Sequence, residues 1–246
     1  MTTVKDILAF LETLCPTYMK EEWDNVGLLV GSGYQPATRV LVALDVTDGA
    51  LEAAKAIGAD LIVTHHPVIF RPISRLSADS MPYRLAAAGI SVISAHTNLD
   101  KAVEGVNDTL AARLGLTDIE IAADGMTRVG TLPEEMTATA FAAHVAAVLG
   151  TPVRAAGDKP VKRVALCGGA AGSSMFAHIG SADCFITGEV KHHEWLGAAG
   201  RINLIDGGHY STEVPVVDTL CGWLTEAFPD LMVVPYHEGE CFSIVK

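Results

Sequence analysis

The chain has 246 residues, half of them hydrophobic and 19% charged, enough apolar material for one large or two small packed domains and too much for a disordered chain. A formal net charge of -12 excludes a general nucleic-acid binder, which needs a surplus of Lys and Arg; nine histidines in an acidic chain suit metal cations and small molecules. Five widely spaced cysteines (Cys15, Cys167, Cys184, Cys221, Cys241) form no C-x-x-C pair and are odd in number, which fits reduced thiols in a cytoplasm.

The first stretch, "MTTVKDILAFLETL", has no basic n-region, apolar h-region or cleavage site. Val4, Ile7, Leu8, Leu11 and Leu14 instead recur at helical spacing behind Thr3, a natural cap. Next, "RVLVAL" (39–44) predicts a strand, "DGALEAAKAIG" a helix, and "LIVTHH" (61–66) a second strand. A helix around "SMPYRLAAAG", the strand "ISVISAH" and a helix after Asp100 follow. The stretch "MTATAFAAHVAAVLGTPV" (136–153) is apolar enough to suggest a membrane, but His144, several threonines and a Gly-Thr-Pro stop make it a helix with a buried face. This alternation implies an α/β fold of mostly parallel sheets flanked by helices, in a soluble protein.

The second half replays the first. "RVLVALDVTDGALEAAKAIGADLIVTHH" aligns with "RVALCGGAAGSSMFAHIGSADCFITGEV", with Asp60 and Thr64 matching Asp183 and Thr187 at one offset. "AHTNLD" and "GGHYSTE" both end a strand with His-x-x-x-carboxylate. The expectation is an internal duplication giving two similar α/β lobes related by pseudo-two-fold symmetry. The first lobe would span 1–120, with 205–246 returning to it through "LMVVPYHEGECFSIV", and the second 121–204. The junction would lie near "LTDIEIAADGM" (116–126).

Ligands of open α/β sheets bind outside the carboxyl ends of the strands. Three predicted strands end in imidazole, at His65-His66, His96 and His209, and Asp100 and Glu213 follow the last two by four residues. Imidazole and carboxylate without thiolate is the ligand set of zinc, iron(II), manganese or nickel. Adjacent strand residues point to opposite faces, so His65 and His66, splayed where the strand breaks into Pro67, favour two ions over one. Paired ions of this kind lie about 3.5–4 Å apart. Each residue also has a purely structural role open to it: Asp100 as a helix cap, Glu213 as a partner of a helix dipole, His96 and His209 as hydrogen-bonded histidines. "CGGAAGSS" (167–174) follows a strand and opens a helix, but lacks the P-loop and dinucleotide fingerprints, which favours a tight turn over a phosphate cradle. "TGEVKHHEW" (187–195) places Glu189 and His193 four apart, either as a helical ligand pair or as a solvated helix start.

Taken together, "EEWDNVGLLVG" (21–31), "THHPVIFRPISRL" (64–76), "SAHTNLD" (94–100), "CGGAAGSS", "TGEVKHH" and "DGGHYSTE" (206–213) closely resemble the Nif-three-like dinuclear metal-centre family, whose members are often labelled type-two GTP cyclohydrolase I homologues. The resemblance runs over nearly the whole chain. It implies two similar lobes, two divalent metal ions per chain, zinc or iron first, and a toroidal homohexamer, with no nucleic-acid or membrane partner. The implied ligands are His65, His66, Asp100, His209 and Glu213, the last bridging, with His96 as an acid/base group. At 246 residues the chain corresponds to the short form without an inserted domain. The label implies hydrolytic opening of the guanine imidazole ring of GTP with release of formate. Cations near the motifs are few (Arg71, Arg75, Lys191), and Arg71 is the candidate for substrate binding. The competing expectation, of another class, is a metal-trafficking protein or iron chaperone that delivers its ions without turnover of its own.

Overall fold

The computed structural model describes residues 1–242. Its elements are α1 (Val4–Leu14), β1 (Gly27–Val30), β2 (Arg39–Ala43), α2 (Asp48–Ile57), β3 (Leu61–Thr64), α3 (Met81–Ala87), β4 (Ser91–Ser94) and α4 (Thr97–Lys101). There follow α5 (Val106–Arg113), β5 (Thr117–Ile121), β6 (Arg128–Met136), α6 (Ala138–Leu149), β7 (Arg154–Ala156) and β8 (Val161–Leu166). The last are β9 (Cys184–Thr187), α7 (His192–Ala198), β10 (Asn203–Asp206), α8 (His209–Glu213), α9 (Pro215–Ala227) and β11 (Met232–Tyr236). Among the described residues, no helix is long and apolar enough to cross a membrane.

The chain divides into two compact units. The first comprises Met1–Gly105 and Val216–Gly239, the second Val106–Pro215 and the residues from Glu240 to the last one described. The division therefore falls at residue 105, ahead of the 116–126 stretch. Leu110 and Leu114 of α5 join Phe141, Val164 and Ile186 in the core of the second unit, and "TDIEI" forms a hairpin with β6 there. The return into the first unit begins at residue 216 and not 205, because β10 pairs parallel to β9 in the second sheet while α9 and β11 go back. The end of "LMVVPYHEGECFSIV" and of the 205–246 span lies outside the described residues.

The first sheet has the order β1-β4-β3-β2-β11, parallel except at the β1 edge. All four residues of β3 are buried, as expected of a central parallel strand covered on both faces. Thr64 is accommodated there because its hydroxyl bonds Ser94 Oγ at 2.8 Å. The second sheet has the order β5-β6-β8-β9-β10-β7. Only the β8-β9 and β9-β10 pairs are parallel; β5, β6 and β7 run antiparallel, so this sheet is mixed where a mostly parallel one was expected.

The repeat legible in the sequence has a physical counterpart inside each unit. Asp60 Oδ2 accepts from the amides of Thr38 (2.7 Å) and Arg39 (3.0 Å) at the start of β2. Asp183 Oδ2 accepts from the amides of Lys162 (3.0 Å) and Arg163 (2.8 Å) within β8. In both units an aspartate just before the second strand thus latches the preceding parallel strand. The connections differ: α2 is an α-helix capped by Thr47, whereas "GSSMFAH" forms a 3-10 helix, Gly172–His178.

Candidate metal centre

The first unit brings three imidazoles together at the carboxyl end of its sheet. β3 ends at Thr64 and delivers His65 and His66; the neighbouring β4 ends at Ser94, two residues before His96. One ring nitrogen from each of the three histidines lies within 4.8 Å of those of the other two. The ring centroids stand 4.8, 5.2 and 5.5 Å apart. Both rings of the doublet therefore turn towards His96 at the strand end.

Each ring is fixed from behind. His65 Nδ1 donates to the Ala95 carbonyl at 2.9 Å, His66 Nδ1 faces Asp45 Oδ1 at 2.8 Å, and His96 Nδ1 faces Asp24 Oδ1 at 2.9 Å. An oxygen acceptor at Nδ1 selects the tautomer whose Nε2 carries the lone pair. Asp24 is buried and also accepts from the amide of Thr97 at 3.0 Å. Burial works to raise its pKa, but the bonds from His96 and Thr97 outweigh this and hold the carboxyl well below the usual carboxylate range. Asp100 lies within α4, not ahead of α5, so it does not cap the helix after it; its Oδ1 stands 3.7 Å from His65 Nε2.

The second unit repeats the arrangement with one histidine. β10 ends at Asp206, and the short α8 begins at His209. His209 Nδ1 faces Glu189 Oε1 at 2.7 Å, while its Nε2 stands 3.0 Å from Glu213 Oε2, one helical turn on. With metal–ligand bonds of about 2.0–2.2 Å, two ligands of one ion lie about 3–3.5 Å apart, so this pair is spaced to share a cation. Glu189 precedes α7 and turns to His209, and the pairing with His193 does not form. The helix starts only at His192, because Glu194 bonds back to the Lys191 amide at 2.7 Å.

Gly169 of "CGGAAGSS" and Gly188 of "TGEVKHHEW" serve this pair. A Cβ on Gly169 would lie 2.1 Å from Glu213 Oε1, and one on Gly188 would lie 2.7 Å from the Cα of His209. The loops after β8 and β9 thus approach α8 more closely than any side chain would permit. A cavity of about 520 Å³ beside His209 is lined by Arg154, Glu189, Lys191 and Asp206 among others. Arg71 and Arg75 lie on an exposed loop, Arg71 directly after Phe70.

The donor chemistry fits a divalent metal: four imidazoles, each with Nδ1 tied to an oxygen, two carboxylates turned towards two of them, and no thiolate. Three of those four anchors, Asp24, Asp45 and Glu189, were not assigned that role from the sequence. The signal available was weak: Asp24 sits inside the quoted "EEWDNVG" motif, and Asp45 directly follows the strand "RVLVAL".

Comparison with known proteins agrees with the fold and the motifs. The family model described as Duf34/NIF3 (NGG1p interacting factor 3) matches residues 2–239. A Clostridium perfringens protein named "GTP cyclohydrolase 1 type 2 homolog" is 35% identical over 235 residues, covering 87% of this chain and 88% of its own. A Lactococcus lactis protein of the same name is 36% identical over 230 residues, covering 84% and 86%. Among solved structures, a Staphylococcus aureus hypothetical protein superposes with a TM-score of 0.90 at 29% identity, over 99% of both chains. The chain belongs to the Duf34/NIF3 family.

Proposed function

We propose that the chain is a metal-dependent hydrolase acting on a nucleotide-type heterocycle. Two divalent ions, zinc or iron(II), would be held through His65, His66 and Asp100 in the first unit and through His209 and Glu213 in the second. The observation that carries this reading is the common treatment of four histidines, each with Nδ1 bound to an oxygen, which puts the lone pair a ligand or base needs on Nε2. Structural histidines have no need of such uniformity.

When bound, such ions supply an activated water at neutral pH and polarise a substrate atom. The chain's own residues do the rest. Asp45, Asp24 and Glu189 hold His66, His96 and His209 in one tautomer and orientation. His96, braced by Asp24, would take and return a proton at Nε2. Arg71 is the cation assigned to an anionic part of the substrate. A cytoplasmic location and the homohexamer implied by the resemblance belong to the same proposal, the latter to be checked by analytical ultracentrifugation.

The test is formate release from GTP and other purine nucleotides by metal-loaded protein, with chelated protein and His66→Ala alongside. Turnover that depends on both metal and His66 is the expected result. Metal-replete protein that turns over none of these compounds would contradict the hydrolase and leave metal delivery as the function of the same ligands.

A further inference from the structure

The loop before β1 carries a side chain that packing in the first unit does not explain. Trp23 is 60% exposed, yet the backbone around it is held at several points. Lys20 Nζ donates to the Asp24 carbonyl at 2.7 Å, and Lys101 Nζ pairs with Glu21 at 2.6 Å. Asp24 is bound by His96 and Thr97, and Asn25 Nδ2 donates to the Ile69 carbonyl at 2.5 Å. That last bond ties the Trp23 loop to the loop bearing Phe70, which is 43% exposed. The indole and phenyl rings meet edge to face at 5.8 Å, and both stand against the His96 ring, at 6.1 and 6.2 Å. Large rings kept in water forgo hydrophobic burial, and a loop that holds them rigid is already organised for a ligand.

The geometry points to Trp23 and Phe70 as an aromatic platform that seats a planar heterocycle beside His96, at the histidine cluster of the first unit. This rests on the proposed function and adds the residues that recognise the ring. A fully covered aromatic side chain buries ~150–250 Å². The two half-exposed rings therefore offer on the order of 200 Å², against about 800 Å² per partner in a stable protein interface. That area suits one base-sized ligand. A π face accepts any flat ring regardless of its hydrogen-bonding edge, and guanine, the ring of the nucleotide in the relatives' names, is such a ring.

The test is titration of guanosine into wild type, Trp23→Ala, Trp23→Phe and Phe70→Ala, followed by calorimetry and tryptophan fluorescence, with tripolyphosphate as the non-aromatic control. Metal content is measured on the same samples. Stacking of a base typically carries enough energy that Trp23→Ala weakens guanosine binding about tenfold or more. Trp23→Phe keeps most of the affinity while losing the quench, Phe70→Ala weakens binding, and no variant loses metal. Tripolyphosphate neither quenches nor competes with guanosine. Unchanged affinity in Trp23→Ala, or no guanosine binding to wild type, overturns the platform. Absence of metal counts against the proposed function instead, and the titration still decides the platform. If Trp23→Ala alters only the association state in sedimentation, the rings are a contact between copies and the platform is refuted.

Discussion

Gly169 is the residue at which backbone geometry and the proposed metal binding are most directly linked. Its φ is +61°, and a Cβ there would meet Glu213 Oε1 at 2.1 Å, Glu213 Cδ at 3.1 Å and His209 Nε2 at 3.4 Å. Gly169→Ala therefore has two costs. The left-handed backbone costs an L-residue ~1–2 kcal/mol. The carboxylate must also leave its position, which breaks the 3.0 Å approach of Glu213 to His209. Displacing a ligand should cost at least as much affinity as removing a group that orients one, about 10–100-fold. Gly200→Ala separates the two effects, because Gly200 has φ +69° and nothing within 4 Å of its would-be Cβ. Gly200→Ala should lose ~1–2 kcal/mol in chemical denaturation, or about 2–8 °C in Tm for a chain of this size, and Gly169→Ala at least as much. Only Gly169→Ala should lose zinc or iron(II) affinity in calorimetric titration. Wild-type affinity in Gly169→Ala would refute the reasoning.

Asp60 has its pKa lowered: burial opposes this, but the bonds from Thr38 and Arg39 prevail. Its stabilisation is therefore complete above the unfolded value near ~3.9 and is lost as pH falls through the lower folded value. Denaturation of wild type and Asp60→Ala should differ by about 1–3 kcal/mol at neutral pH and converge in acid; a gap independent of pH would sink the assignment. Asp24→Ala, which strands the His96 and Thr97 donors, should cost a further ~1–3 kcal/mol on the same assay, while a neutral result would deny Asp24 its anchoring role. Among the thiols, burial pushes Cys15 and Cys221 up to about 12 and Cys184 upwards as well, and Cys167 is buried, whereas Cys241 is exposed. A thiol reagent at mildly alkaline pH should thus show one fast site, abolished by Cys241→Ser; a second fast site would contradict this burial pattern.

The parallel strands were legible because buried strands need continuous β-branched runs, as in "LIVT" and "SVIS", and the imidazoles stood out because they end such runs. The His-x-x-x-carboxylate spacing of His209 and Glu213 corresponds to one turn of the short α8. The residues that orient the histidines were not legible in this way. Asp24 lies 72 positions from His96 and Asp45 lies 21 from His66, so each pairing exists only after the strands have aligned. Glu189 was visible but was matched to His193 by sequence spacing, whereas the turn after β9 directs it to His209, 20 positions away. The division between units escaped for a related reason. Residues 116–126 look like a connector by composition, but Thr117–Ile121, exposed throughout, is the edge strand of the β5–β6 hairpin.

The central claim is that these histidines and carboxylates hold metal. It is tested most directly by elemental analysis of protein purified without added metal or chelator, with His65→Ala and His66→Ala beside wild type. The account predicts about two zinc or iron ions per wild-type chain and a clear fall in both variants, with the fold unchanged by circular dichroism. Wild type that is free of metal and takes up neither zinc nor iron(II) on addition, or variants that retain the full complement, would contradict it.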